Sequence, residues 1–354
     1  MKRDIYINGA AALSIQNTLH GFFPDGFVKM KHPFVQISDP DFKEYIPQII
    51  SRRMSKIIKR AISVSQIALR QAHITLPDAI IFGTGLGCIE DTEKFLNAVL
   101  DQNEQFLQPG FFIQSTHNTI ASQVAIRLGC HGYNNTFVQR GLSFESALLD
   151  AFLLFEEGKV ETVLTGGHDE LTSTYFSLLH KAGYYSYNEE NGIGNFAGEG
   201  SVSFVLSSKV TEESYAKIEQ FEILYTPNRT TSFGSVVLPF LDCHNIRVDE
   251  LSVIFSAYTE DDMGKSVYKD IFAPPFAKLV HIPFKAFCGE FFCASAFGLW
   301  MASYFVRNGL LPTLFMESRV QPATLSNKKY VLLHNHSYNK HHSLILLRKK
   351  HTTS

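Results

Sequence analysis

Short apolar strands alternate with helices along this chain, and the alternation occurs twice. In the first run, residues 4–8 (DIYIN) alternate as a strand and Gly9 ends it. Residues 51–72 place Met54, Ile57, Ile58, Ala61, Ile62, Ala68 and Leu69 on one helical face. Residues 79–82 (AIIF) form a buried strand, 90–100 and 117–128 read as helices, and Thr136-Phe137-Val138 is a strand core. Residues 143–157 are strongly helical with Gly158 at the expected C-cap, and 160–165 and 201–206 are strands. In the second run, 251–257 and 278–282 are strands, 291–307 is a helix of small and apolar residues, and 330–333 and 343–347 are strands. Residues 20–50 and 101–114 lack a period and read as loops. Such alternation predicts an α/β class. At 354 residues and 45% hydrophobic, the chain can bury a core of about two domain equivalents. A weak boundary lies near 208–250, where charge and Pro/Asn content rise.

Composition excludes several functions. Lys plus Arg is 32 and Asp plus Glu is 34, so the net charge is 32 − 34 = −2, which argues against a protein that coats nucleic acid. No run of 18 apolar residues is present, so no membrane-spanning helix is expected. Asp4 and Asn8 interrupt any signal-peptide core in the basic start MKRDIYINGAAALSIQ. The five cysteines are odd in number, and only Cys288 and Cys293 lie close together. A disulfide framework or a zinc site is not expected, and a reduced, cytoplasmic compartment fits. The 30 phenylalanines point to bulky core or cavity packing.

Individual motifs give weak signals. Gly83-Thr84-Gly85-Leu86-Gly87 follows a strand and precedes a helix, but its spacing is not that of a dinucleotide loop, and a tight turn is the preferred reading. Gly141-Leu142-Ser143-Phe144-Glu145 resembles a serine elbow except that Glu145 replaces the last glycine; Ser143 is either a nucleophile or the start of a helix. His334, His336, His341 and His342 could bind a metal on a strand, but surface or loop histidines are the simpler reading. Gly167-His168-Asp169-Glu170 reads as a polar turn. Arg52, Arg53, Lys56, Lys59 and Arg60 form either a solvated helix face or a docking patch for an acidic partner.

Taken together, six segments resemble the β-ketoacyl-carrier-protein synthases, condensing enzymes of the thiolase superfamily. They are AIIFGTGLGCIE (79–90), PGFFIQSTHNT (109–119), the helix over 121–132, the 141–167 segment closing in V-L-T-G-G, GNFAGEGSVSFVL (194–206), and KAFCGEFFCASAFG (285–298) running on to Leu311-Pro312-Thr313. The resemblance implies a thiolase-like five-layer αβαβα fold of two similar halves, here 1–245 with loop insertions and 246–354. It also implies a dimer along the strand near 134–140.

The family's reactive groups do not carry over. The nucleophilic cysteine aligns with Gly141, or with Gln139 if a gap is allowed. The two histidines align with Tyr258 and Glu290; the lysine survives as Lys285, and the C-terminal glycine gate aligns with His336-Ser337-Tyr338-Asn339. Glycine cannot replace a thiolate in thioester exchange. An ionised glutamate has no hydrogen to donate to an enolate, and would repel a malonyl carboxylate by about 4 kcal/mol at 4 Å and an effective dielectric near 20. An ion pair between Glu290 and Lys285 is the simplest expectation. The resemblance therefore implies a subunit like the chain-length factors of type II polyketide and aryl-polyene synthases, silent alone and paired with an active β-ketoacyl synthase or with itself. Phe111, Phe112 and Phe137 are tunnel candidates, and Arg52, Arg53, Lys56 and Arg60 are docking candidates for an acyl carrier protein. An acyltransferase, a thioesterase (through Ser143) or a non-standard synthase is the alternative. No cofactor or metal is implied. Either way, Gly141, Tyr258, Glu290 and Lys285 should converge on one cavity.

Overall fold

A computed structural model describes residues 3–350 apart from 20, 22–26, 28–31, 106, 189–192, 228–230, 310 and 312–327. Leu311 is described, but the rest of the Leu311-Pro312-Thr313 match lies outside these residues.

The first half runs β1 (Ile5–Ser14), α1 (Gln48–Ser51), α2 (Lys56–Gln71), β2 (Ala79–Gly83), α3 (Ile89–Asp101), α4 (Pro109–Ser115), α5 (Thr119–Leu128), β3 (Tyr133–Phe137), α6 (Ser143–Glu156), β4 (Thr162–Asp169), α7 (Ser173–Lys181), the hairpin β5 (Ser186–Asn188) and β6 (Ile193–Asn195), then β7 (Gly200–Ser207). The second half runs β8 (Ala216–Tyr225), α8 (Phe233–Cys243), β9 (Leu251–Ser256), α9 (Asp262–Val267), β10 (Val280–Pro283), α10 (Lys285–Cys288), α11 (Ala294–Asn308), β11 (Tyr330–Ser337) and β12 (His341–Arg348).

Ten strands form one mixed sheet in the order β10-β9-β11-β12-β8-β1-β7-β4-β2-β3. The order is an internal repeat. In each half, the first strand pairs antiparallel with the last, the last pairs antiparallel with the fourth, and the remaining pairs are parallel. Antiparallel β1·β8 pairing joins the halves. By this order β8 and α8 belong to the second half, so the junction lies between Ser207 and Ala216, upstream of 245. The charge of this stretch marks a half-exposed strand rather than a linker, since Ala216 and Ile218 are buried while most of the rest of β8 is half-buried.

Burial explains the layers. One cluster joins α6 and α11 to the inner faces of both sheet halves, through Phe144, Phe155, Phe204, Phe255, Phe297 and Trp300. A second packs α2 and α5 on the outer face of the first half, and a third packs α8 on the outer face of the second. The result is the five-layer α/β/α/β/α arrangement of thiolase-like folds.

Four local expectations change. Gly9 does not end the first strand, since β1 runs on to Ser14. Residues 51–72 are not one helix: α1 stops at Ser51 and α2 starts at Lys56, with the Ser55 amide held by the Gln114 side chain. The 101–114 segment is not all loop, because α4 begins at Pro109, a residue suited to the first helical turn. The 20–50 segment includes α1, and its Ile37, Tyr45 and Ile46 are buried over α2.

Candidate functional site

A cavity of about 500 Å³ opens where the tip of the β11–β12 hairpin meets the head of α6 and the turn before α11. Gly141, Lys285 and Glu290 line it, together with Arg140 and the hairpin residues Asn335 to Tyr338. Tyr258 does not. Its ring packs on Tyr268, Phe272 and His281, with centroids 5.9, 6.3 and 5.8 Å away, while the neighbouring Thr259 and Asp261 take the cavity wall. A bulky aromatic gains more from that cluster than from a wet wall, so the chain presents the next residues instead.

Lys285 Nζ lies 2.5 Å from Glu290 Oε2, and the lysine is only 5% exposed. Burial pushes the Glu290 carboxyl up and Lys285 pulls it back. The Glu290 backbone is fixed separately: its N–H donates to Phe196 O at 2.8 Å, and its carbonyl accepts from Gly198 N at 3.1 Å. This is the anchored ion pair that the sequence suggests, and the charged carboxylate is largely spent on the buried ammonium.

At Gly141 the backbone leaves no room for a side chain. A Cβ there would stand 2.6 Å from Ser337 Oγ and 2.8 Å from Ser337 Cβ. The preceding Arg140 has φ 51°, and Arg140–Leu142 form a single 3-10 turn leading into α6. Gln139, the gapped alternative, accepts a hydrogen bond from Ser146 and does not line the cavity. Ser143 is fully buried; its Oγ donates to Arg140 O and accepts from Gln139 N, both at 2.8 Å. It closes the turn and presents no nucleophile to the cavity, which corrects the serine-elbow alternative.

The glycine turn after β2 is likewise committed internally. Gly85 N–H donates to Asp169 Oδ1 at 2.7 Å and Gly87 N–H to Thr84 Oγ1 at 2.9 Å. A Cβ on Gly83 would meet the Ser143 backbone at 2.4 Å, so close helix packing sets that residue. Asp169 also accepts from Cys293 N at 2.8 Å; burial drives its carboxyl up to about 6 against these hydrogen bonds. Residues 167–169 are therefore not a polar turn but the buried end of β4, and Asp169 clamps the halves together.

Sequence reasoning misplaced the histidines. His334, His336 and His342 are buried, not at the surface. His334 Nδ1 is 2.8 Å from Tyr268 Oη, and His334 Nε2 is 3.1 Å from His342 Nδ1. Burial holds all three well below or below the ordinary imidazole value, His342 at about 4. His336 borders the cavity with neither ring nitrogen hydrogen-bonded among the described residues. An alternating strand looks half-exposed in sequence; the burial comes from α8 and β9, which are far away along the chain.

Two further groups of candidates separate. Phe111, Phe112 and Phe137 do not line the cavity: Phe112 is 56% exposed, and Phe137 packs partly buried on the central core. Arg52, Arg53 and Lys56 are exposed, but Arg60 is buried, with Nε 2.5 Å from Asp39 and Nη1 3.0 Å from Glu199. Arg60 is therefore an internal tie rather than a docking residue, because the 33–46 segment covers that side of α2.

Comparison with known proteins agrees with this frame. Residues 30–193 match the family described as beta-ketoacyl synthase, N-terminal domain. A 3-oxoacyl-[acyl-carrier-protein] synthase 2 of Synechocystis sp. is 25% identical over 157 residues, covering 43% of this chain and 37% of that protein. The matched stretch thus spans about a third of the length of such relatives. Two solved structures superimpose along nearly the whole chain. "The ishigamide ketosynthase/chain length factor" has a TM-score of 0.75 at 14% identity, covering 99% of this chain and 100% of that one. A beta-ketoacyl synthase from Burkholderia phymatum has a TM-score of 0.76 at 15% identity, with the same coverage. The chain is similar to the β-ketoacyl-carrier-protein synthases over residues 30–193, where it matches their N-terminal domain, and has a thiolase-like fold along nearly its whole length.

Proposed function

We propose that this chain is a ketosynthase-like subunit that performs no decarboxylative condensation itself and pairs with an active β-ketoacyl synthase in fatty acid, polyketide or polyene synthesis. One observation carries the reading: where the family has its cysteine, this cavity has Gly141 with Ser337 packed over it, and where the family has a histidine, Glu290 is tied to Lys285. Neither a thiolate nor an enolate-binding imidazole pair remains at those positions. The resemblance to solved structures of ketosynthases with their chain length factors supports the partner reading.

The pairing surface is the β3 edge. β3 ends the sheet, and Ile126, Tyr133, Val138, Leu149 and Leu153 are exposed on it or on the helices that flank it. An unpaired edge beside apolar residues calls for cover. Phe111, Phe112 and Phe137, in α4 and β3, would then influence acyl length from the interface rather than from the cavity. Arg52, Arg53 and Lys56 remain the docking candidates for an acidic acyl carrier. Five unpaired cysteines suit a reducing, cytoplasmic setting.

The test is co-expression with a cysteine-containing β-ketoacyl synthase from the same genome, followed by size-exclusion chromatography and product-length analysis. A heterodimer whose products change length when Phe112 or Phe137 is replaced by Ala supports the reading. A chain that stays apart from every such synthase, or that elongates malonyl thioesters alone, ends it.

A further inference from the structure

Arg140, Asp261, Lys285 and Glu290 are the charged side chains on the cavity wall, and three of them are committed. Lys285 and Glu290 hold each other. Asp261 accepts from Gly264 N at 2.8 Å and from Thr259 Oγ1 at 2.7 Å, which caps α9. Arg140 is different: it is exposed, and its guanidinium has neither an ion pair nor a hydrogen bond among the described residues. Its φ of 51° is a left-handed conformation that a residue with a side chain holds only at a cost, and such strain gathers at ligand clamps.

Two observations place this cation beside an aromatic wall. Burial raises the pKa of the Tyr338 phenol and Glu290 adds to the rise, whereas Arg140 opposes it. The hydroxyl of Tyr338 therefore lies within electrostatic reach of both charges. Tyr338 and Tyr184 meet edge to face, with ring centroids 5.5 Å apart, and Tyr185, Phe291 and Phe292 continue the wall.

These features select a ligand class. A space of about 500 Å³ suits a small molecule. A free guanidinium is a planar fork that meets a carboxylate through two parallel hydrogen bonds. Glu290 and Asp261 share the wall, so a monoanion is admitted more readily than a phosphate dianion. A ring gains edge-to-face contacts with Tyr184 and Tyr338 that an alkyl chain does not. We propose that this cavity is a non-covalent binding site for a small aromatic carboxylate, with Arg140 holding the carboxylate and Tyr184 and Tyr338 the ring. The site needs no partner subunit and goes beyond the pairing reading.

The experiment titrates the purified chain, without any synthase, with trans-cinnamate in a calorimeter at low salt. Cinnamide (which lacks the charge), octanoate (which lacks the ring) and inorganic phosphate are titrated alongside. The expected result is one site for cinnamate, weaker in added salt, with the other three binding at least about tenfold less tightly. Arg140→Gln should weaken cinnamate by about 10–100-fold, and Arg140→Lys should restore only part of it, because an ammonium lacks the fork. Tyr338→Leu should bring cinnamate and octanoate closer together. Arg127→Gln, an exposed arginine on α5 outside the cavity, should change nothing. No binding of cinnamate at millimolar concentration, equal binding of cinnamide or octanoate, or unchanged affinity in Arg140→Gln that keeps its circular dichroism overturns the proposal. Because no synthase is present, that outcome leaves the heterodimer test standing.

Discussion

The two halves share a strand order but use the corresponding turns differently. β4 and β11 are equivalent strands of eight residues, so His168 corresponds to His336 and Asp169 to Ser337. Each final residue reaches across to the head of the other half's central helix: Asp169 to Cys293 before α11, and Ser337 to Gly141 before α6. Asp169 is saturated there, with Thr84, Gly85 and Cys293 as donors. Ser337 instead faces a cavity. The repeat gives two crossing points; the first holds the halves together and the second borders the cavity.

Replacing Asp169 by Ala should break this comparison most strongly. It would orphan the buried amides of Gly85 and Cys293, at about 1–3 kcal/mol each, so urea unfolding should show a loss of about 2–6 kcal/mol. Ser337→Ala should cost less than about 0.5 kcal/mol. Equal losses would show that both crossing points are structural.

Acid should come next. Burial lowers His168 and His281 to about 3 and His342 to about 4, and holds His334 and His336 well below the ordinary value. Below about pH 6.5 the unfolded chain binds these protons and the folded chain refuses them, so stability falls as pH falls from 6.5 towards 4. Burial raises Asp169 to about 6 and Glu170 to about 8, and also raises Glu145 and Glu290. These carboxyls hold protons in the folded state that the unfolded chain releases above about pH 4, so they stabilise in the same acid window and lose that effect as pH rises. Near pH 5.5 the five imidazoles outweigh the four carboxyls, so the net slope keeps the sign set by the imidazoles. Urea midpoints at pH 5, 6 and 7 check the sign. His168→Leu and His336→Leu should each flatten the slope by about one proton if the two sites are equivalent.

Much of this frame was legible in the sequence because strand and helix periods are local. β2, β4 and α6 appear within one to four residues of their expected bounds. Gly141, Lys285 and Glu290 were expected together because the resemblance aligns them, through Gly158, Gly167 and Gly289, with parts of one family site. Long-range cover was illegible. Arg60 sits on α2 beside other cations, and only the distant Asp39 and Glu199 make it internal. Nothing near His336 in the chain announces that α8 and β9 bury its strand. Tyr258 shows the remaining weakness: a loop after a strand can slip by one residue, and side-chain size decides which residue faces the cavity.

The Gly141–Ser337 contact sharpens the comparison at smaller scale. Gly141→Cys should overpack the site and cost about 1–3 kcal/mol, with low reactivity of the new thiol towards iodoacetamide. Adding Ser337→Gly should recover most of the loss and expose the thiol, a coupling of about 0.5–3 kcal/mol in a double-mutant cycle. Additive effects would mean that the two residues do not compete for one space.

The smallest stability effect belongs on the outer face of the first half. Arg52 and Arg53 are exposed in the break between α1 and α2, with no ion pair among the described residues, so Arg52→Glu/Arg53→Glu should change stability by less than about 0.5 kcal/mol. Binding is another matter. An acidic carrier docking there would meet two like charges, and the loss of affinity should shrink as added salt shortens the screening length from about 10 Å at 0.1 M to about 3 Å at 1 M. Titration of the purified chain with its cognate acyl carrier at both salt concentrations reads this directly. Equal affinity for the wild type and the double variant at low salt would move carrier docking away from the outer layer of the first half.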